Sequence, residues 1–87
     1  MTFFFNNLDR SEAFENYLVE KLGHIKNMNE EFRITISLNR YKYKIKAVSH
    51  GKNVFEASNK DLYFAADELY HRMKKYYSSH KKYHRAG

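Results

Sequence analysis

Lysine recurs at every second position in one short segment of the chain. Lys42, Lys44 and Lys46 alternate there with aromatic or apolar residues. In a β-strand this period places all three ammonium groups on one face of the sheet. Like charges at this spacing repel one another, and a bound anion relieves the repulsion. The pattern therefore favours polyanion binding over its structural alternatives, which are a solvated face or an edge strand protected by its lysines.

Further cations extend this candidate site. Residues 32–60 carry seven basic residues and one acidic residue, whereas residues 1–31 carry three basic and six acidic residues. No acidic residue lies between Phe32 and Lys52. A field this uneven attracts nucleic acid first and an anionic membrane surface second. The predicted nucleic-acid-binding residues are Arg33, Arg40, Lys42, Lys44, Lys46, Lys52, Arg72, Lys75, Lys81 and Lys82.

Several function classes are not expected from the composition. The chain has 87 residues and no cysteine, which excludes disulfide scaffolds, thiol catalysis and four-thiolate zinc sites. His80 and His84 are four residues apart, but they lack a third ligand and lie among lysines, so we predict no metal site. The sequence has no phosphate-binding loop and no nucleophile elbow, so we expect neither an enzyme nor a cofactor. It also contains no stretch suited to a signal peptide or a membrane span.

Alternating residues predict the strands that position the lysines. Phe32, Ile34, Ile36 and Leu38 alternate with polar residues, and residues 41–48 continue the alternation after a turn at Asn39 and Arg40. The two runs are typical of an antiparallel hairpin whose inner face carries Tyr41, Tyr43, Ile45 and Ala47. A short first strand is predicted at residues 3–5, and a fourth strand at residues 54–58 follows a turn at residues 51–53.

Apolar residues at steps of three and four predict two helices. Phe14, Leu18, Leu22 and Ile25 form the stripe of the first helix, which Asp9 or Ser11 can cap. The second helix is expected to start after a cap at Ser58 or Asn59, to carry Asp61 in its first turn and to end near Ser79. Its stripe comprises Leu62, Ala66, Leu69, Met73 and Tyr76.

The order of these elements predicts the fold class. An order β-α-β-β-β-α, with one apolar stripe on each helix, is typical of an α+β two-layer sandwich, in which two helices cover one face of a four-stranded sheet. We expect residues 1–79 to form a single domain and residues 80–87 to form a flexible basic tail. The lysines would then lie on the face that the helices leave open.

The last helix resembles that of a known family. The family pattern there is close to D-[ML]-Y-x-A-[IA]-D-x-L, with basic and apolar positions after it. The residues that match this pattern are Asp61, Leu62, Tyr63, Ala65, Asp67 and Leu69, followed by Arg72, Met73, Lys75, His80 and Lys81. Through them the chain is similar to the bacterial ribosome hibernation-promoting factors, also called ribosome-associated inhibitors or sigma-54 modulation proteins.

This resemblance implies a cytoplasmic protein that sits in the channel of the small ribosomal subunit. It would bind rRNA where mRNA and tRNA pass, and would inhibit translation in starved or stationary cells. The length is similar to that of the short class of the family, so the protein is expected to be a monomer off the ribosome. The first helix departs from the family pattern because it is acidic and carries Gly23 and His24 near its end. The resemblance therefore implies RNA contacts from the hairpin, the second helix and the tail.

Three other functions remain open at the level of sequence. A double-stranded-RNA-binding domain has an α-β-β-β-α order, but it opens its last helix with a lysine cluster, where this chain has Lys60 beside Asp61. A basic module for protein interaction or regulation would use the same cations on an acidic partner. A toxin-like nuclease would need a catalytic constellation that the sequence lacks.

Overall fold

The computed structural model contains a four-stranded sheet and two helices. It describes residues 1–26, 28–50 and 53–86, and side chains up to position 78. The strands are β1 (Thr2–Asn6), β2 (Phe32–Asn39), β3 (Lys42–Ser49) and β4 (Val54–Asn59), and the helices are α1 (Glu12–Leu22) and α2 (Leu62–Ala86). The predicted α+β fold and its order β-α-β-β-β-α are confirmed.

The sheet has mixed topology. Its strands lie in the order β1-β2-β3-β4, with β1 parallel to β2 and the other pairs antiparallel. Helix α1 makes the crossover that a parallel connection between β1 and β2 requires. The rest of the sheet is a meander, in which each strand pairs with the next one along the chain.

The core lies between the two helices and one face of the sheet. Alternate residues of β2 and β3 point into it, because side chains on a strand alternate between the two faces. Their apolar side chains supply the main stabilisation, about 1.5–3 kcal/mol for each large side chain that is fully buried. The fully buried side chains include Ile34, Ile36 and Ile45 from the sheet, Phe14, Leu18 and Leu22 from α1, and Leu69 and Met73 from α2.

The hairpin turn lies one residue later than the sequence predicted. Asn39 pairs with Lys42 at the end of the ladder, so the turn consists of Arg40 and Tyr41 rather than Asn39 and Arg40. Arg40 has a φ of 60°, a left-handed conformation that costs a non-glycine residue about 1–2 kcal/mol. Tyr41 was expected on the inner face, but that prediction is wrong, because the turn leaves its side chain 71% exposed.

Helix α2 differs from its prediction at both ends. Asp61 is the N-terminal cap, since its Oδ1 accepts hydrogen bonds from the backbone N–H groups of Tyr63 and Phe64 at 2.9 and 3.1 Å. Asn59 acts one step earlier, because its Oδ1 accepts from the Asp61 N–H. The helix continues to Ala86, past the end expected near Ser79. The division into a domain at 1–79 and a flexible tail at 80–87 stays a prediction.

A polar network joins the two helices at their exposed seam. Asp67 on α2 accepts a hydrogen bond from the Tyr17 hydroxyl at 2.7 Å and pairs with Lys21 Nζ at 2.8 Å, both on α1. These contacts stabilise the carboxylate, so Lys21, and after it Tyr17, lowers the pKa of Asp67. The hydrogen bond to Asp67 raises the pKa of Lys21. The network fixes α1 against α2 without a buried charge.

Two further hydrogen bonds join α2 to the segment before β2 and to the residue before β4. The Tyr77 hydroxyl on α2 donates to Glu30 Oε2 at 3.2 Å, and the Tyr76 hydroxyl donates to Asn53 Oδ1 at 3.1 Å. Burial, and then the Glu30 carboxylate, raises the pKa of Tyr77 to about 12. Tyr77 therefore stays neutral at physiological pH and ties α2 to the start of the hairpin.

We expect Asp67→Asn to lower Tm by roughly 2–6 °C at neutral pH, because it removes an ion pair and a charge-assisted hydrogen bond at the surface. The pKa of Asp67 is lower in the folded state than its ordinary value of 3.8. Its contribution is therefore present above that value and is lost as the pH falls through the folded pKa. Thermal melts from pH 7 to pH 2 test this, and the two proteins should converge in acid. Glu68→Gln, at the next position of α2, is the control, and an equal loss in both variants would contradict the role of Asp67.

Candidate nucleic-acid interface

The face of the sheet opposite the helices carries the predicted lysines. We call it the open face. The strand register arranges its residues in rows that cross the sheet. These rows are Thr2, Arg33, Val48 and Val54; Phe4, Thr35, Lys46 and Glu56; Asn6, Ser37, Lys44 and Ser58; and Asn39 with Lys42.

The three lysines form a line along β3. Lys42 and Lys46 are exposed, whereas Lys44 is half-buried between its neighbours. Residues two apart on a strand are separated by about 6.8 Å, so the line is about 14 Å long. Hydroxyl and amide side chains from β2 flank it, and these groups also hydrogen-bond to phosphates. The line can therefore contact several phosphates of one polynucleotide strand.

The open face also contains a carboxylate that local sequence did not reveal. Glu56 on β4 is the register partner of Lys46, and its Oε1 lies 3.7 Å from Lys44 Nζ. The segment between Phe32 and Lys52 has no acidic residue, but the fold places Glu56, which follows this segment, beside its lysines. Both members of the pair are 44% exposed, and such surface pairs add little stability. Glu56 thus offsets part of the positive charge along β3.

Arg33 lies on the open face, as predicted, at the opposite end from the hairpin turn. Its guanidinium carbon is 5.7 Å from the centre of the Phe4 ring, a cation–π distance. Phe4 was not predicted to belong to the site. The alternation of side chains along β1 could have indicated it. Phe3 and Phe5 face inward, so Phe4 between them faces the opposite side, as Thr2 and Asn6 do.

The hairpin turn presents a second basic and aromatic group. Arg40 is exposed in the turn, and Lys60 Nζ lies 5.8 Å from the centre of the Tyr41 ring. Arg40 therefore lies at the end of the open face. Lys60 was missing from the predicted site because it follows Tyr41 by 19 positions, and only the pairing of β4 with β3 brings the two together.

The structure does not bring the cations of α2 together with those of the sheet. Arg72 and Lys75 are exposed on α2, which packs on the opposite face of the sheet from the lysine line. They lie on the flank of α2 that turns away from α1, since Asp67 and Tyr70 point towards α1. They remain predicted contacts for a partner that reaches the helix layer as well.

Three predicted residues cannot be placed. Lys52 lies outside the described residues. Lys81 and Lys82 belong to the last part of α2, where the structure describes the backbone but not the side chains. Their roles stay predictions.

The outer surface of α1 carries the opposite charge to the open face. Helix α1 exposes Glu12 and Glu20, and Arg10 is paired with Glu15 at 2.7 Å. Hydrogen bonding to Glu15 raises the pKa of Arg10. A polyanion is therefore attracted to the open face and repelled by the outer surface of α1.

A cleft of about 320 Å³ lies at the Arg33 end of the open face. It spans the row of Thr2, Arg33 and Val48, and it continues to the residues next to this row at the start of β2 and the end of β3. The residues that line it include an arginine, a glutamate and a histidine as well as apolar residues. The lining residues are Thr2, Glu31, Phe32, Arg33, Val48, Ser49 and His50. Within the described residues no three histidine or acidic side chains cluster to hold a metal ion.

Comparison with known proteins identifies the family. A sequence model for the sigma 54 modulation protein / S30EA ribosomal protein family matches residues 1–85. The chain belongs to this family. The resemblance noted in the last helix is thereby confirmed over nearly the whole S30EA sequence, including the acidic first helix.

Solved structures agree on the fold. The S30EA chain is similar to a ribosomal subunit interface protein from Coxiella burnetii, with 23% identity, a TM-score of 0.76 and coverage of 94% of this chain and 99% of that one. It is also similar to the N-terminal domain of Protein Y from Thermus thermophilus, with 22% identity, a TM-score of 0.71 and coverage of 88% and 96%. No curated protein sequence matches significantly. None of the helices in the described parts of the chain combines the length and apolar character needed to cross a bilayer.

Proposed function

We propose that this S30EA-family protein binds the small ribosomal subunit through its open face and inhibits translation. The observation that carries the proposal is the line of Lys42, Lys44 and Lys46 on the sheet face that no helix covers. Such a line suits the regularly spaced phosphates of folded rRNA. Family membership supports the ribosome as the source of that RNA.

The mechanism is steric occupancy. A rigid domain held by phosphate contacts in the mRNA and tRNA channel excludes both ligands while it stays bound. Phosphate contacts fix position but read little sequence, so the fit to the channel supplies the specificity. Such inhibition needs no turnover and no cofactor. In this proposal the protein acts in the cytoplasm during starvation or stationary phase, and it is a monomer off the ribosome.

Sedimentation of the protein with ribosomes at low and high salt tests this function. We expect it to migrate with small subunits or whole ribosomes at low salt and to be released at high salt, because counterions displace the phosphate contacts. If it stays at the top of the gradient at low salt, the proposal fails. Retention on a naked RNA duplex without ribosome binding would instead favour a double-stranded-RNA-binding module. The chain has a strand, β1, that pairs in parallel with β2. The α-β-β-β-α order of a double-stranded-RNA-binding domain does not include such a strand.

We expect Glu56→Gln to tighten binding to small subunits about two- to tenfold at low salt, because it frees Lys44 for phosphate and removes a repulsive charge. The salt dependence should become steeper by roughly one phosphate contact. Glu20→Gln, which makes the same charge change on the outer surface of α1, is the matched control. Equal tightening in both variants would mean that only net charge matters and that Glu56 has no local role.

A further inference from the structure

Phe4 is an aromatic residue on the side of the sheet that faces water. Its side chain is 44% exposed, whereas Phe3 and Phe5 on the same strand pack against the core. An exposed ring forgoes the stabilisation that burial would give it. The open face is otherwise polar or charged around it, with Thr35 and Asn6 as neighbours. Core packing therefore does not explain this phenylalanine.

Arg33 lies against the same ring. The guanidinium carbon lies over the ring, 5.7 Å from its centre, so two planar groups that can stack on a nucleic-acid base are adjacent. Exposed aromatic rings on a four-stranded sheet are a known way to hold unpaired RNA bases. Paired bases are stacked inside a helix, where a ring on the surface of a sheet cannot reach them.

The cleft adjoins this pair. Arg33 and Thr2 line it, and its volume of about 320 Å³ suits one small ligand rather than a long segment. Glu31 also lines the cleft, and its Oε1 lies 3.3 Å from the amino group of Met1. A carboxylate there can accept a hydrogen bond from an exocyclic amino group of a base. The cleft thus offers a cation for phosphate and an acceptor for a base.

The stacking pair is continuous with the lysine line. Phe4, Thr35 and Lys46 occupy one row of the open face, so about 10 Å separates the Cα atoms of Phe4 and Lys46. We propose that Phe4 and Arg33, with the adjoining cleft, bind one unpaired base of a single-stranded RNA segment whose backbone lies on the lysine line. This inference rests on the proposed RNA-binding function and adds a base site to it.

Phe4→Leu tests the base site, because leucine keeps the apolar bulk and removes the aromatic face. The probes are a single-stranded RNA decamer that carries one 2-aminopurine and an RNA duplex of 16 base pairs. We expect Phe4→Leu to weaken decamer binding about tenfold and to leave duplex binding unchanged. The wild type should change the 2-aminopurine fluorescence through stacking. Phe64→Leu is the matched control, since Phe64 is also exposed, at 62%, but lies on α2.

Arg33→Lys gives a second variant should Phe4→Leu fail to fold. It keeps the charge and loses the stacking plane, so it should weaken decamer binding with little change in duplex binding. Equal decamer affinity for Phe4→Leu and Phe64→Leu, with normal binding of duplex and ribosomes, would overturn the base site alone. Wild-type protein that binds neither RNA nor ribosomes would overturn the proposed function as well.

Discussion

We expect Leu69→Ala to lower the free energy of unfolding by about 2–5 kcal/mol. Leu69 is fully buried on the α2 stripe, where it faces the core between the small residues Ala65 and Ala66 and the larger Met73. Truncation leaves a cavity that the paired strands cannot close. A domain of this size has a total stability of roughly 5–10 kcal/mol, so the loss is a large share of it. Urea unfolding followed by circular dichroism measures the change.

Glu68→Ala is the control for this truncation, because its side chain is exposed at the preceding position of the same helix. It should change the free energy of unfolding by less than about 0.5 kcal/mol. Equal effects of the two substitutions would contradict the burial of Leu69 between α2 and the sheet.

We expect replacement of Lys42, Lys44 and Lys46 together by alanine to weaken binding to small subunits about 100-fold or more near 0.1 M salt. Each phosphate contact adds about 0.9 to the slope of log affinity against log salt, and Glu56 pairs with Lys44, so the slope should fall by about 1.8 for Lys42 and Lys46. The fold should persist, because these side chains point away from the core. Binding curves at several salt concentrations, with circular dichroism on each variant, measure both effects.

A matched control removes three cations elsewhere. Arg10, Lys26 and Lys74 are exposed and lie outside the open face, so their joint replacement by alanine changes the net charge equally. It should weaken binding only by the general loss of attraction, with a much smaller change in slope. Should the lysine variant bind as well as this control, the lysine line is a solvated face and nothing more.

Alternation predicted the part of the candidate site that lies on β2 and β3. The period of two assigned Arg33, Lys42, Lys44 and Lys46 to one face, and the structure places them there. The same reasoning failed at Tyr41, because a period cannot show where a strand stops and a turn begins. The turn at Arg40 and Tyr41 contains none of the pairs Asn-Gly, Asp-Gly and Gly-Gly that are typical of two-residue hairpin turns.

The sequence alone did not predict the contacts that depend on how the strands pair. Glu56 faces Lys44 only because β4 pairs with β3 in one particular register. Lys60 meets Tyr41 for the same reason. The cap of α2 was misplaced by two or three positions, since Ser58, Asn59 and Asp61 are all good caps and only backbone geometry selects among them.

Layering explains why the predicted cations do not form one surface. The apolar stripe of α2 faces the sheet, so Arg72 and Lys75 lie in the helix layer, and the lysine line lies on the opposite side of the sheet. Charge counts along the sequence contain no information about which layer a residue joins. A flat partner therefore meets the open face alone, whereas a partner that surrounds the domain meets both layers.

Lysine footprinting on the ribosome-bound protein tests the central claim most directly. The complex with small subunits is treated with an amine-acetylating reagent, and mass spectrometry compares each lysine with its reactivity in the free protein. We predict strong protection of Lys42, Lys44 and Lys46, with unchanged reactivity at Lys26 and Lys74, which are exposed away from the open face. Bound protein whose β3 lysines react as fast as they do in free protein would contradict the account.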